Sequence, residues 1–243
     1  MEITEAELRA MAKSVDERHR DAMRTFGDDA REAHRGVASA GRRRILAGAG
    51  IGGVALAVGA AVGPASWLSS ASAQGISDED LAAFAQSVEL AAVAVYGMAA
   101  AALSAATKPV GVLFQMHHQQ HADAFAAVAK TKAVKGPNQK LVTALTPALQ
   151  AVKDEKSALE LAFILENQAA ETYAFGLTVA AGAAAYGGMA TILPIESEHA
   201  AVLGAALGKS LADIFVNGAF ESTAVGDGKD VKKGLDPAVF PVS

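Results

Sequence analysis

The chain has no cysteine. That excludes disulfides, thiolate metal sites and a cysteine nucleophile. Arginine is confined to the stretch from Arg9 to Arg44, and every basic residue beyond it is lysine. From Ile45 to Ala73 there is no charged side chain. Aromatic residues make up only 5% of the sequence, and β-branched runs are scarce, so little favours strands. Alanine, the best intrinsic helix former, is abundant instead. The lysines are scattered, no basic stripe carries interleaved aromatics, and the net charge is -5. A nucleic-acid surface is therefore excluded.

The uneven charge divides the chain into three parts. Residues 1–73 form an arginine-rich start and an uncharged run. Residues 74–220 have the composition of a folded helical domain, long enough to bury one core. Residues 221–243, rich in Gly and Lys with Pro237 and Pro241, read as an irregular tail.

Gly41-Arg42-Arg43-Arg44-Ile45-Leu46 resembles the twin-arginine export consensus, with Gly41 where Ser or Thr is usual. The apolar run 45–68 follows an n-region of 1–44 and is softened by glycines such as Gly48, Gly52 and Gly59. Ala71-Ser72-Ala73 supplies a small-residue cleavage site that leaves Gln74 first. The resemblance implies a bacterial protein exported by the twin-arginine machinery to the periplasm or cell envelope. The alternative is an uncleaved membrane anchor, since about 20 apolar residues suffice to span a bilayer. Within the n-region Leu8, Met11, Val15 and Met23 suit a helix over Glu2 to His34, with His19 and His34 in solvent.

Beyond the leader, Ser77 can cap a helix whose first turn holds Asp78, Glu79 and Asp80. Four long helices are predicted: from there to about Thr107, Val110 to Lys132, Lys153 to Ala184, and Gly187 to Leu207. Pro194 is expected to kink the last. A short stretch over Gln139 to Val152 is expected to be interrupted at Pro147, and a short extra helix over Ser210 to Asn217. Each long helix carries ionisable residues mid-length, which argues for a water-soluble bundle rather than membrane spans.

The chemistry-bearing residues alternate between helices. Glu89 precedes Tyr96 by seven residues, and Glu166 precedes Tyr173 by seven. Seven residues is nearly two turns, so each Glu shares a face with its Tyr. The second helix carries His118 and His121, the fourth Glu196 and His199, each pair three apart and facing one way. Single Glu residues on two helices, with a pair on each of the other two, is the order that two-metal carboxylate bundles require. Glu171, about 140° round the helix from Glu166, and Glu198, about 200° round from Glu196, are expected in solvent with Asp123.

These stretches, from Ser87-Val88-Glu89-Leu90 to Ile195-Glu196-Ser197-Glu198-His199-Ala200, resemble the ferritin-like superfamily, specifically its exported bacterial members. The resemblance covers about Asp80 to Leu207. It implies an all-α, antiparallel four-helix bundle holding two ions, iron or manganese, on Glu89, His118, His121, Glu166, Glu196 and His199. Tyr96 and Tyr173 are candidates to orient those ligands. The chain departs from the pattern at His118, where the usual motif has Glu; His117, four before His121, is an alternative. The implied chemistry is oxidoreduction with dioxygen or peroxide. The alternative is an envelope binding or structural protein with a vestigial or single-metal site. Homo-oligomerisation is left open by the sequence.

Overall fold

A computed structural model describes residues 3–39, 76–210 and 240–242, with side chains in the first stretch as far as Phe26. The described residues form six α-helices: α1 (Glu5–Ser39), α2 (Asp78–Ala99), α3 (Lys108–Ala129), α4 (Gln139–Ala151), α5 (Glu155–Val179) and α6 (Ala183–Ala206). The protein is an all-α ferritin-like bundle. Helices α2 and α3 pack as one hairpin and α5 and α6 as another. The crossover between them carries α4.

The helix ends follow local chemistry. Ser77 caps α2 by accepting from the Asp80 N–H at 3.2 Å. Asp154 and Ser157 form a capping box at the start of α5. Asn138 caps α4, and its amide also donates to the carbonyl of Phe240, which packs in the core. Asp78 accepts from the N–H groups of Ala184 and Ala185, bringing the starts of α2 and α6 together. A β-carbon at Gly182 would lie 2.3 Å from that carboxylate, so only glycine allows the approach.

Both interior prolines are absorbed. Helix α4 is not interrupted at Pro147, and α6 runs through Pro194 as one helix. Each proline removes one N–H from the ladder. Pro147 and Thr143, and likewise Pro194 and Ala190, are exposed, so water can take the freed carbonyl. The expected helix over Ser210 to Asn217 and nearly all of the tail lie outside the described residues, as do the twin-arginine motif, the apolar run and the cleavage site. The stretch Asp78–Ala102 is apolar and long enough to cross a membrane, but 67% of its most hydrophobic window is buried inside the protein.

Helix α1 is docked. Leu8, Ala12, Val15 and Phe26 are buried on a stripe packed against α6 and α3. Gly188 makes room for it: a β-carbon there would lie 2.7 Å from Phe26. Arg18 donates to Glu198 of α6 at 2.5 Å. This pairing corrects the expectation of a solvated Glu198, whose side chain is 28% exposed. Glu171 is half-buried rather than solvated, whereas Asp123 is exposed as expected.

Candidate metal centre

The sequence spacing puts one carboxylate on each of α2 and α5 and one pair on each of α3 and α6. Packing turns all of them to the same interior point. Glu89, His118, His121, Glu166, Glu196 and His199 are each at most 1% exposed.

They divide into two overlapping groups. Glu89, His118, His121 and Glu196 form one, and His118, Glu166, Glu196 and His199 the other; within each, the ligand atoms lie within 4.8 Å of one another. Glu196 belongs to both. Its Oε1 lies 2.9 Å from Nδ1 of His121, and its Oε2 3.3 Å from Nδ1 of His199. One carboxylate thus offers an oxygen to each half. His118 is the second shared residue. Its Nδ1 lies 2.7 Å from Glu89 Oε2 and its Nε2 3.0 Å from Glu166 Oε1.

The tyrosines cross over. Tyr96 on α2 donates to Glu166 on α5, and Tyr173 on α5 donates to Glu89 on α2. The seven-residue spacing on each helix therefore supplies the hydroxyl for the other helix's carboxylate. Burial, then the Glu166 charge, hold the Tyr96 phenol well above its ordinary range, so it stays a donor.

Burial alone would neutralise every group here. For His118 and His121 burial is outweighed by facing carboxylates: Glu166 first for His118, well above the usual range, and Glu89 first for His121, at about 9. Burial likewise opposes the charge on His199, and Glu166 overrides it and raises the ring. Glu89 is opposed by burial but drawn down to about 2 by His121 and His118. Glu166 also falls well below its ordinary value, because His118 and His199 together outweigh burial. Glu196 is raised, by burial first. Without an ion the centre is an internal salt of imidazolium and carboxylate.

Cation binding fits these residues. Both ring nitrogens of His121 and Oε1 of Glu196 are buried without a hydrogen-bond partner among the described residues. The 2.9 Å approach between them is off the line of a hydrogen bond. A cation that displaces the ring protons would meet carboxylate and imidazole ligands already converged on one point. Three carboxylates and three imidazoles suit a first-row divalent ion.

Two histidines stand differently from the sequence reading, His19 and the alternative ligand His117. His19, expected in solvent, is fully buried, and its ring stacks on His117 with centroids 3.7 Å apart. His34 lies beyond the described side chains. His117 turns away from the carboxylates: its Nδ1 is 2.9 Å from His199 Nε2, and its Nε2 is 3.3 Å from Asp16 Oδ1. Burial pushes His19 down to about 3 and His117 to about 2, so both are neutral. A signal for His19 was present. It falls four residues after Val15 and four before Met23, on the apolar stripe of α1, and Asp16-x-x-His19 repeats the carboxylate-x-x-His spacing of α6.

A four-helix bundle with a buried carboxylate–histidine centre defines the class of protein. Residues 68–209 match the ferritin-like domain family, and the chain belongs to it. No curated protein and no solved structure matches the chain.

Proposed function

We propose that the protein is an exported ferritin-like metalloprotein whose six-residue centre holds two ions, iron or manganese, for oxidoreductase chemistry with dioxygen or peroxide. The observation that carries this reading is the division of the six residues into two groups sharing Glu196 and His118. Each half has its own carboxylate and imidazole, Glu89 with His121 and Glu166 with His199. A redox-active metal pair supplies electrons to a bound oxidant. The protein's own part is to fix the ligands, keep bulk water out, and hold a proton on Tyr96 and Tyr173 against the two terminal carboxylates.

Export is part of the proposal. It rests on Arg42-Arg43, the glycine-softened apolar run and Ala71-Ser72-Ala73. Twin-arginine transport moves folded proteins, so an ion can be loaded before translocation. In this reading 1–73 is the leader, 74–220 the bundle and 221–243 the tail; an uncleaved leader would anchor the bundle to the membrane.

A second reading has its own support. His118 stands where the usual motif has Glu, and it links Glu89 and Glu166 through both ring nitrogens. One carboxylate fewer neutralises less charge, which favours a single ion, or a binding or structural role in the envelope.

Metal analysis of the full chain purified from its native host separates these readings. The two-metal reading expects about two ions per chain, with loss in Glu166→Ala and peroxide turnover by the loaded protein. About one ion supports the second reading. Under one-half per chain, unchanged by Glu166→Ala, contradicts the two-metal reading and leaves a vestigial site with a binding or structural role.

A further inference from the structure

Helix α1 precedes the family-matched segment, yet it brings two potential ligands to the bundle. Asp16 and His19 lie three residues apart and share a face. Across from them stands His117 of α3. Asp16, His19 and His117 each offer a ligand atom within 4.8 Å of the others. None of the three belongs to the six-residue centre.

His19 gives this cluster meaning. Its side chain is fully buried, and neither ring nitrogen has a hydrogen-bond partner among the described residues. Burying a polar group without a partner is costly, so a buried imidazole of this kind calls for a partner. Packing alone would be served as well by Leu or Phe on the same stripe. His117 directs Nε2 toward Asp16 Oδ1, while Asp16 Oδ2 is held by Arg20 at 3.0 Å. One carboxylate oxygen thus stays turned to the imidazoles. Two imidazoles and one carboxylate form a donor set suited to zinc and similar ions, which take three protein ligands plus water.

We infer that Asp16, His19 and His117 form a separate site for one divalent transition-metal ion, which staples the N-terminal helix to the bundle. On binding, the stacked rings must splay, because lone pairs in two near-parallel planes do not meet. His19 is the ring that must turn, since turning it breaks no hydrogen bond to the described residues. Two of the three ligands precede the apolar run, so a cut after Ala73 would sever them from the bundle. The site belongs to the uncut chain.

The test is zinc titration of the metal-stripped full chain, followed by native mass spectrometry and limited trypsin digestion. The wild type is expected to take one more zinc than His19→Ala or Asp16→Asn. Zinc should slow cleavage at Arg20 and Arg24 at least tenfold in the wild type and not in the variants. Asp16→Asn keeps the test decisive if His19→Ala fails to fold, because Asp16 is on the rim of the cluster. Equal zinc uptake and equal protection in wild type and Asp16→Asn overturn the inference. Glu166→Ala separates the sites: it should lower the metal content of the six-residue centre and leave the Asp16-dependent ion in place. An Asp16-dependent ion in a chain whose six-residue centre takes no metal would leave this inference standing and remove the proposed function.

Discussion

The hydroxyl of Tyr96, on α2, donates to the carboxylate of Glu166, on α5. The mirror contact joins Tyr173 to Glu89. His118 lies between these two carboxylates and touches both. Replacing either tyrosine with Phe leaves a buried carboxylate oxygen short of a donor. Each single change should lower the stability of the metal-free protein by about 1–3 kcal/mol. Because His118 connects the two halves, the double variant should depart from additivity by at least about 0.5 kcal/mol. Urea denaturation in chelator measures both quantities, and strict additivity would show that His118 does not couple them.

His118→Glu restores the residue usual at that position, but it replaces a buried cation with a fourth carboxylate. Without an ion, the unpaired charge should cost about 3–5 kcal/mol. A divalent ion should reverse the sign, since the added carboxylate then neutralises metal charge. Thermal melts in chelator and in excess manganese check this. A variant less stable than wild type under both conditions would show that the pocket has no room for a fourth carboxylate.

Shifts of opposite sign shape the pH dependence of the metal-free protein: His118, His121 and His199 are raised, and His19 and His117 are lowered. The folded-state pKa of His121 is raised to about 9. Its contribution is fully present below the ordinary histidine value of about 6.5 and is lost as pH rises through 9. His19 is lowered to about 3. Its burial as a neutral ring is penalised as pH falls below about 6.5, where the unfolded chain takes up the proton. The melting temperature in chelator should therefore peak near neutral pH and fall on both sides. His121→Ala should flatten the alkaline limb and His19→Ala the acid limb, which a melting series across pH would show.

Much of this was legible in the sequence. The helix start at Ser77 followed from capping chemistry, and the six ligand candidates from their spacing together with the resemblance to ferritin-like proteins. What the sequence did not yield was tertiary. An apolar stripe on α1 was visible, but nothing in its own residues says that α6 has a glycine, Gly188, where Phe26 must pass. Without that docking, His19 reads as solvated and Glu198 as an idle surface charge. Pro147 read as a break because sequence does not show which side of α4 faces water. The reciprocal tyrosine contacts were hidden for a similar reason: each Tyr shares a face with one Glu and bonds to the other.

Gly188→Ala tests the docking directly. The new methyl would press on Phe26, and overpacking of this kind costs about 1–3 kcal/mol. The N-terminal helix should become more susceptible to trypsin while α2 to α6 stay intact. Adding Phe26→Leu should restore protection. Unchanged digestion in Gly188→Ala would show that α1 does not rest on α6 in solution.

The central claim is that six buried side chains form one centre for two ions. Anomalous diffraction at the iron and manganese edges, from a crystal of the full chain loaded in its native host, measures it most directly. The account predicts two peaks, one between Glu89 and His121 and one between Glu166 and His199, with Glu196 touching both. A centre without a peak at either edge, in a crystal whose six side chains are ordered, would contradict it.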